Sequence, residues 1–461
     1  MTKHHLALAA LPFLLYATQP AAANVGAAVD AALKDEVAWQ IVEGLTTEVG
    51  PRLAGSDAEA KARTWGAARL EALGFKNVRI DTFQIDGWER GVEQAEIVAP
   101  FPQKLTLAAL GSSGATPAKG LVADVVAFNG MDELKAAPDS VVKGKIVFLS
   151  HRMGATQDGS SYGAFGPIRF QGPSLAASKG AAAVVIRSLG TDHHRGPHTG
   201  TTRWADGQKP IPAAALSVPD AEQLERVLAR GKPVSLKLTL TPRFLGKRTS
   251  GNVIAEIPGR DPNAGVIVVG GHLDSWDLGT GAIDDAAGVA IMAASALAAS
   301  KDSPPLRTIR VVWFGSEETG GGGDLDYIRR YGKEKHVLAG ESDFGADRVW
   351  SFDTRVAQPD APVFRELANT LLKLGVARGG NHADGGADIE DLGKAGVPII
   401  SLRQDGTRYF ELHHTPDDTL DKVDPAQLRQ NVAAWTAVLA IASNAPDWPE
   451  KGIIEESTPQ K

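Results

Sequence analysis

Val266-Ile267-Val268-Val269-Gly270-Gly271-His272-Leu273-Asp274 decides how this chain folds. Its four leading residues form an unbroken apolar run, the pattern of a strand buried on both faces rather than one with a wet side. Outward from it the C-terminal half alternates: strands at 309–314 and 397–402 are separated by helical stretches at 284–299, 325–331 and 425–442. The expected fold is α/β, a doubly wound, mostly parallel sheet covered by helices on both faces. In open sheets of this class, ligands gather beyond the carboxyl ends of the strands. His272 and Asp274 stand at such an end, and Glu317 and Glu318 follow the run 309–314 in the same way.

Upstream, residues 30–105 carry a helix over 35–49, with Val37, Ile41, Val42 and Leu45 on one face, a second over 58–73, and a strand at 78–83. A loop of turn formers, Gly50-Pro51-Arg52-Leu53-Ala54-Gly55-Ser56, joins the two helices. Residues 106–245 differ in texture. Short strands at 121–128, 145–149, 182–187 and 234–240 lie between loops rich in Gly, Pro and Ser, with a helix near 220–230. The expected organisation is therefore a catalytic domain in two parts, 24–105 and 246–461, interrupted by a β-rich module at 106–245.

Residues 1–23 read as an export signal: Lys3 with His4 and His5, an apolar stretch from Leu6 to Ala17, and a small-residue site at Ala21-Ala22-Ala23 before Asn24. That run is too short to cross a bilayer, and no later segment is expected to span one. The expected location is the periplasm or the exterior. With 48 basic and 55 acidic residues the net charge of −7 argues against nucleic acid or an anionic membrane as partner. Cysteine is absent, so any metal must be held by nitrogen and oxygen.

Such donors recur in five fragments: Gly-Gly-His-Leu-Asp at 270–274, Ala-Ile-Asp-Asp at 282–285, Gly-Ser-Glu-Glu at 315–318, Glu-Ser-Asp at 341–343 and His-His-Thr at 413–415. Singly, each has a plain structural reading: a buried His–Asp pair, a helix cap, a solvated loop, polar residues before Pro416. Together they supply two imidazoles and three or four carboxylates, the donor set for two divalent metal ions and for adding water to an amide or ester. On an extended chain Asp274 points the same way as His272 and can accept its second ring N–H. Asp284 opens the Ala-rich helix, where free N–H groups favour a carboxylate.

The ordered pattern His-x-Asp, Gly-x-x-Asp-Asp-x-x-Gly, Glu-Glu, Asp and His-Thr resembles the co-catalytic di-zinc exopeptidases, the bacterial aminopeptidase and glutamate carboxypeptidase type. Ser275-Trp276-Asp277, Glu341-Ser342-Asp343-Phe344-Gly345 and the double histidine are most similar to the carboxypeptidase Q branch. The likeness extends from Gly50 to His-His-Thr, with Pro197-His198-Thr199-Gly200 inside the insert, and the insert resembles a protease-associated module. The resemblance implies Asp284 bridging two zinc ions, His272 and Asp343 completing one shell, Glu318 and His414 the other, Glu317 as general base and Asp274 behind His272. Manganese or cobalt could replace zinc.

Competing assignments surround that set. Asp353 rivals Asp343, and His413 rivals His414; if the chain is extended there, only one of the two rings can face the cluster. His193, His194 and His198 are expected as solvated loop residues, with His198, like His413, a candidate substrate contact. Asp384 and Asp388 have no expected role, and Arg52 is expected at the surface. The leading expected activity is hydrolysis of short peptides by metal-activated water, as a dipeptidase of the carboxypeptidase Q kind, with N-terminal aminopeptidase as the alternative. A glutaminyl-cyclase-like acyltransferase and a non-catalytic receptor-like relative are weaker readings, because the donor pattern is complete. The expected partners are short peptides; a homodimer is left open.

Overall fold

The computed structural model describes residues 24–454; the expected export signal lies outside them. Two eight-stranded sheets carry the architecture. The first runs in the order Lys76–Glu89, Arg243–Ile257, Thr308–Phe314, Val266–His272, His336–Glu341, Ile399–Gln404, Val349–Arg355, Ala377–Arg378. Its four middle strands, from Thr308–Phe314 to Ile399–Gln404, pair in parallel. Antiparallel pairings flank them on both sides, so parallel pairs hold only a narrow majority.

The unbroken run at 266 is explained by what covers it. Ile267 and Val269 pack into one hydrophobic cluster with the helices Ala287–Ala299 and Pro425–Ala442, and Val268 packs into another with Tyr327 and Leu392. Both pleat faces are dry, so neither can carry a polar residue. The helix over 425–442 has the expected bounds.

The second sheet runs Gln103–Leu105, Glu93–Ala99, Ser235–Leu240, Leu121–Asn129, Ile146–Ser150, Ala183–Arg187, Ala213–Leu216, Leu107–Ala109. It starts before residue 106, because Ala95, Ile97 and Leu105 are buried at alternating positions against its core. That core also takes Leu53, Trp88 and Trp276, which come from the segments around the first sheet.

Two expectations about the helix after 282 are corrected. The regular helix begins at Ala287; Asp284 (φ −131°, ψ 86°) and Asp285 (φ −137°, ψ 40°) are non-helical, so Asp284 does not sit on a helix N-terminus. The stretch Ala282–Ala299 is also long and apolar enough to span a bilayer, contrary to the expectation that no segment is, but it is 89 % buried inside the protein. Its apolarity serves the core.

Candidate metal centre

The strand Val266–His272 delivers His272 at its last position, and the loop before Ala287 brings Asp284 to meet it. Asp284 Oδ1 lies 2.9 Å from His272 Nε2, which is 3.3 Å from Asp343 Oδ1. The other oxygen, Asp284 Oδ2, lies 3.3 Å from His414 Nε2, which is 2.9 Å from Glu318 Oε2. One carboxylate thus faces two separate donor groups. His272 Nδ1 donates to the Asp274 carbonyl at 2.9 Å and His414 Nδ1 to the Thr199 carbonyl at 3.2 Å. Each ring so fixed turns Nε2 toward Asp284.

These spacings suit metal ligation. Donors bound at 2.0–2.2 Å to a tetrahedral ion lie roughly 3.3 Å from one another. His272, Asp284 and Glu318 bring ligand atoms within 4.8 Å of one another, as do Asp284, His413 and His414, and His272, Asp285 and Asp343. Asp284 Oδ2 and Glu318 Oε1 are buried without a hydrogen-bond partner. Asp274, Asp285 and Glu341 add further buried carboxylates. So dense a set of acids needs cations.

Asp274 departs from its expected contact. Its carbonyl, not its carboxylate, holds His272; the nearest carboxylate oxygen is 3.9 Å from Nδ1. The carboxylate instead accepts the backbone N–H groups of Glu317 (3.2 Å) and Glu318 (3.3 Å). It therefore joins the two strand ends that carry the site.

The double histidine is also corrected. His414 has φ +62°, so the chain there is not extended, and the His413 and His414 rings stack with centroids 3.5 Å apart. Both face Asp284, but His413 Nε2 is 3.8 Å from Asp284 Oδ2 and has no contact to Glu318 comparable with that of His414. His198 neither lines the cavity nor meets solvent. It is buried, its ring bridging Asp192 Oδ1 (2.7 Å) and the His413 carbonyl (2.7 Å), because Gly190 leaves space for it beneath the loop. Asp353 pairs with Arg403 and accepts the Gly380 N–H, away from the cluster.

Three residues that support the site escaped the sequence reading. Asp285 accepts the N–H groups of His272 (3.1 Å) and Gly288 (2.9 Å). A Cβ on Gly271 would lie 2.3 Å from its oxygen, which accounts for glycine before the histidine. Asp418 accepts the N–H groups of Ile283 (2.6 Å) and Asp284 (3.2 Å). Arg52, expected at the surface, is fully buried and donates to the carbonyls of Leu273, Thr280 (2.7 Å) and Gly281 (2.9 Å). Their doublets and turn context were visible, but backbone carbonyls needing a donor leave no mark in a sequence.

Burial would lower the His272 imidazole, yet Asp343 and Asp284 outweigh it and raise it well above the ordinary range. Burial, helped by Arg169 and opposed by Asp284, leaves His414 at about 4 and hence neutral. Burial pushes Glu317 up to about 8, with Asp343, Asp274 and Asp284 adding to it. Glu317 belongs to none of the close ligand groups and faces a cavity of about 270 Å³. Asp343 and Tyr409 line it from around the first sheet, and Tyr162, Arg169 and Arg203 from around the second. A neighbouring cavity of about 220 Å³ shares Asp343 and Phe344 and adds Asp158, Glu341 and Asp384.

Known proteins resemble this chain to differing depths. The model of peptidase family M28 matches residues 252–439. Carboxypeptidase Q of Mus musculus is 34 % identical over 404 residues, 87 % of this chain and 84 % of that protein. A peptidase M28 precursor from Shewanella amazonensis is 43 % identical, with a TM-score of 0.90 over 92 % of this chain and 97 % of that one. A zinc aminopeptidase from Bacillus subtilis, 22 % identical, shares the fold with a TM-score of 0.62 over 91 % of this chain and 98 % of its own.

Proposed function

The chain belongs to peptidase family M28 and is a metallopeptidase, and on that premise we propose that it is a di-zinc exopeptidase cutting short peptides, as a dipeptidase of the carboxypeptidase Q kind. The observation that carries the two-ion reading is Asp284, whose two oxygens face two different His–carboxylate sets. In this reading His272, Asp284 and Asp343 hold one ion, and Asp284, Glu318 and His414 the other. Imidazole and carboxylate donors with open positions suit zinc.

When bound, the two ions polarise the scissile carbonyl and ease deprotonation of the attacking water. The chain supplies the rest. Glu317, which belongs to none of the close ligand groups and faces the cavity, takes the proton of the attacking water and returns it to the departing amine nitrogen. Asp274 fixes the backbone of Glu317 and Glu318 by their N–H groups. The acidic cavity at Asp158, Glu341 and Asp384 offers a place for a free amine, which equally favours the second reading, an aminopeptidase. We further propose a doubly wound catalytic domain, an inserted protease-associated-like module built on the second sheet, and export of the mature chain from near Asn24.

The test is zinc analysis of purified protein together with amino-acid release from dipeptides, tripeptides and aminoacyl anilides. Two zinc ions per chain and preferred cleavage of dipeptides are expected. Preference for long peptides or anilides moves the reading to aminopeptidase, and hydrolysis unaffected by chelation removes it.

A further inference from the structure

The cavity beside Glu317 contains two guanidiniums for which no carboxylate is provided. Arg169 is only 3 % exposed. It donates to Tyr162 Oη at 2.6 Å and to the Thr199 carbonyl at 3.3 Å, and its Nε has no partner. Arg203 is exposed at the cavity mouth, 5.2 Å above the Phe170 ring, with the Arg169 guanidinium 4.6 Å from the same ring. Among the described residues, no Asp or Glu forms an ion pair with either. Arg90 pairs with Asp277 and Glu93 and Arg310 with Glu256, while buried Arg52 and Arg307 are capped by two or more backbone carbonyls each. Arg169 has one carbonyl, a phenol and an unpartnered Nε, and it borders the cavity. A buried cation without a counter-charge is costly, so a site that keeps one is built for an anion that arrives from outside.

The cradle is shaped for Arg169. Gly200, at φ +135°, would place a Cβ 2.3 Å from its guanidinium, so any other residue would displace it. Arg169 Nη1 also lies 3.1 Å from His414 Nδ1, on the ring whose Nε2 faces Asp284. The guanidinium is therefore about one imidazole width from the centre that would hold the scissile carbonyl. One residue of extended chain covers about 3.5 Å, so an anion one residue beyond the cut falls within its reach.

We propose that Arg203 and Arg169, both of which pack against the Phe170 ring and line the cavity, bind the terminal carboxylate of the substrate. The cavity then takes peptides with a single residue after the scissile bond, with a dipeptide as the smallest. Planar guanidiniums match a carboxylate in paired hydrogen bonds. This rests on the exopeptidase reading above and assigns the residues that separate a dipeptidase from an aminopeptidase.

The experiment compares zinc-loaded protein acting on Ala-Ala and on Ala-Ala amide, which differ only in the terminal charge. Wild type is expected to favour the acid in kcat/KM by about 10- to 100-fold, the range for a hydrogen bond to a charged group. In Arg203→Ala the acid/amide ratio collapses toward one, mainly through KM for the acid, and Arg203→Lys recovers part of it. Equal, measurable rates in wild type, or equal losses on both peptides in Arg203→Ala, overturn the assignment. Calorimetric binding of both peptides to Glu317→Gln separates the two readings. Equal affinity overturns the guanidinium assignment. Acid-selective binding by that variant alongside a wild type that cuts neither peptide upholds it, and removes the hydrolytic reading alone.

Discussion

Arg52 donates from Nη2 to the carbonyl of Gly281 at 2.9 Å, directly beneath the loop that presents Asp284. The same guanidinium reaches Thr280 and Leu273, so one side chain from the N-terminal segment ties two site loops together. Arg52→Met leaves buried carbonyls without a donor and is expected to cost about 3 kcal/mol or more. Denaturant unfolding and zinc retention against a chelator would both fall; an unchanged midpoint would show that the brace is dispensable.

Glu317→Gln removes the proposed base and leaves the donor set intact. Turnover on dipeptides is expected to fall about 10²–10⁴-fold, with zinc content as in wild type. Loss of a zinc ion by elemental analysis would instead make Glu317 a ligand.

Asp284→Ala is expected to lose both ions, since each donor group uses one of its oxygens. His414→Ala is expected to lose one, because His414 alone of the stacked pair is close to both Asp284 and Glu318. His413→Ala should keep the metal content and alter substrate handling. Zinc titration of the three variants decides the matter, and depletion in His413→Ala with an intact His414→Ala would reverse the assignment.

Glu59 lies away from the cavity, buried between Arg63 and Ser250. Burial pushes its carboxyl to about 7 from the ordinary 4.5, although Arg63 opposes the shift. A raised pKa means that the folded state holds the proton more tightly than the unfolded chain. The stability it supplies is thus full below pH 4.5 and is lost as pH rises through 7, on the order of 3 kcal/mol in all. The stability of wild type minus that of Glu59→Gln, followed by denaturant unfolding from pH 4.5 to 7.5, should decline across this window. A flat difference would count against it.

The sequence made the strand ends legible because burial on both faces forces an apolar run, and the run at 266–269 stops where His272 begins. It identified the donors that the structure assembles around Asp284 for the same reason: their order and their placement after strands are properties of the chain. What it could not carry is the direction of backbone at irregular points. His414 adopts a positive φ, and Asp284 leaves helical angles, so alternation rules applied to both pointed the wrong way. Arg52 and His198 were misplaced because a charged side chain is buried when distant carbonyls or an Asp satisfy it, and those partners are far away or locally unremarkable in sequence.

Trp276 follows Asp274 by two positions, yet its ring belongs to the hydrophobic core of the second sheet, edge-on to Trp88. It also lies 5.7 Å from the His414 ring. The two sheets consequently share a thermodynamic fate. Separating them would pull an indole out of one core and remove its contact with His414, a proposed ligand, so heat and denaturant are expected to melt them in a single cooperative step. The cavity residues Tyr162, Arg169 and Arg203 around the second sheet, and Asp284 and Glu317 around the first, are therefore expected to stay in register with one another.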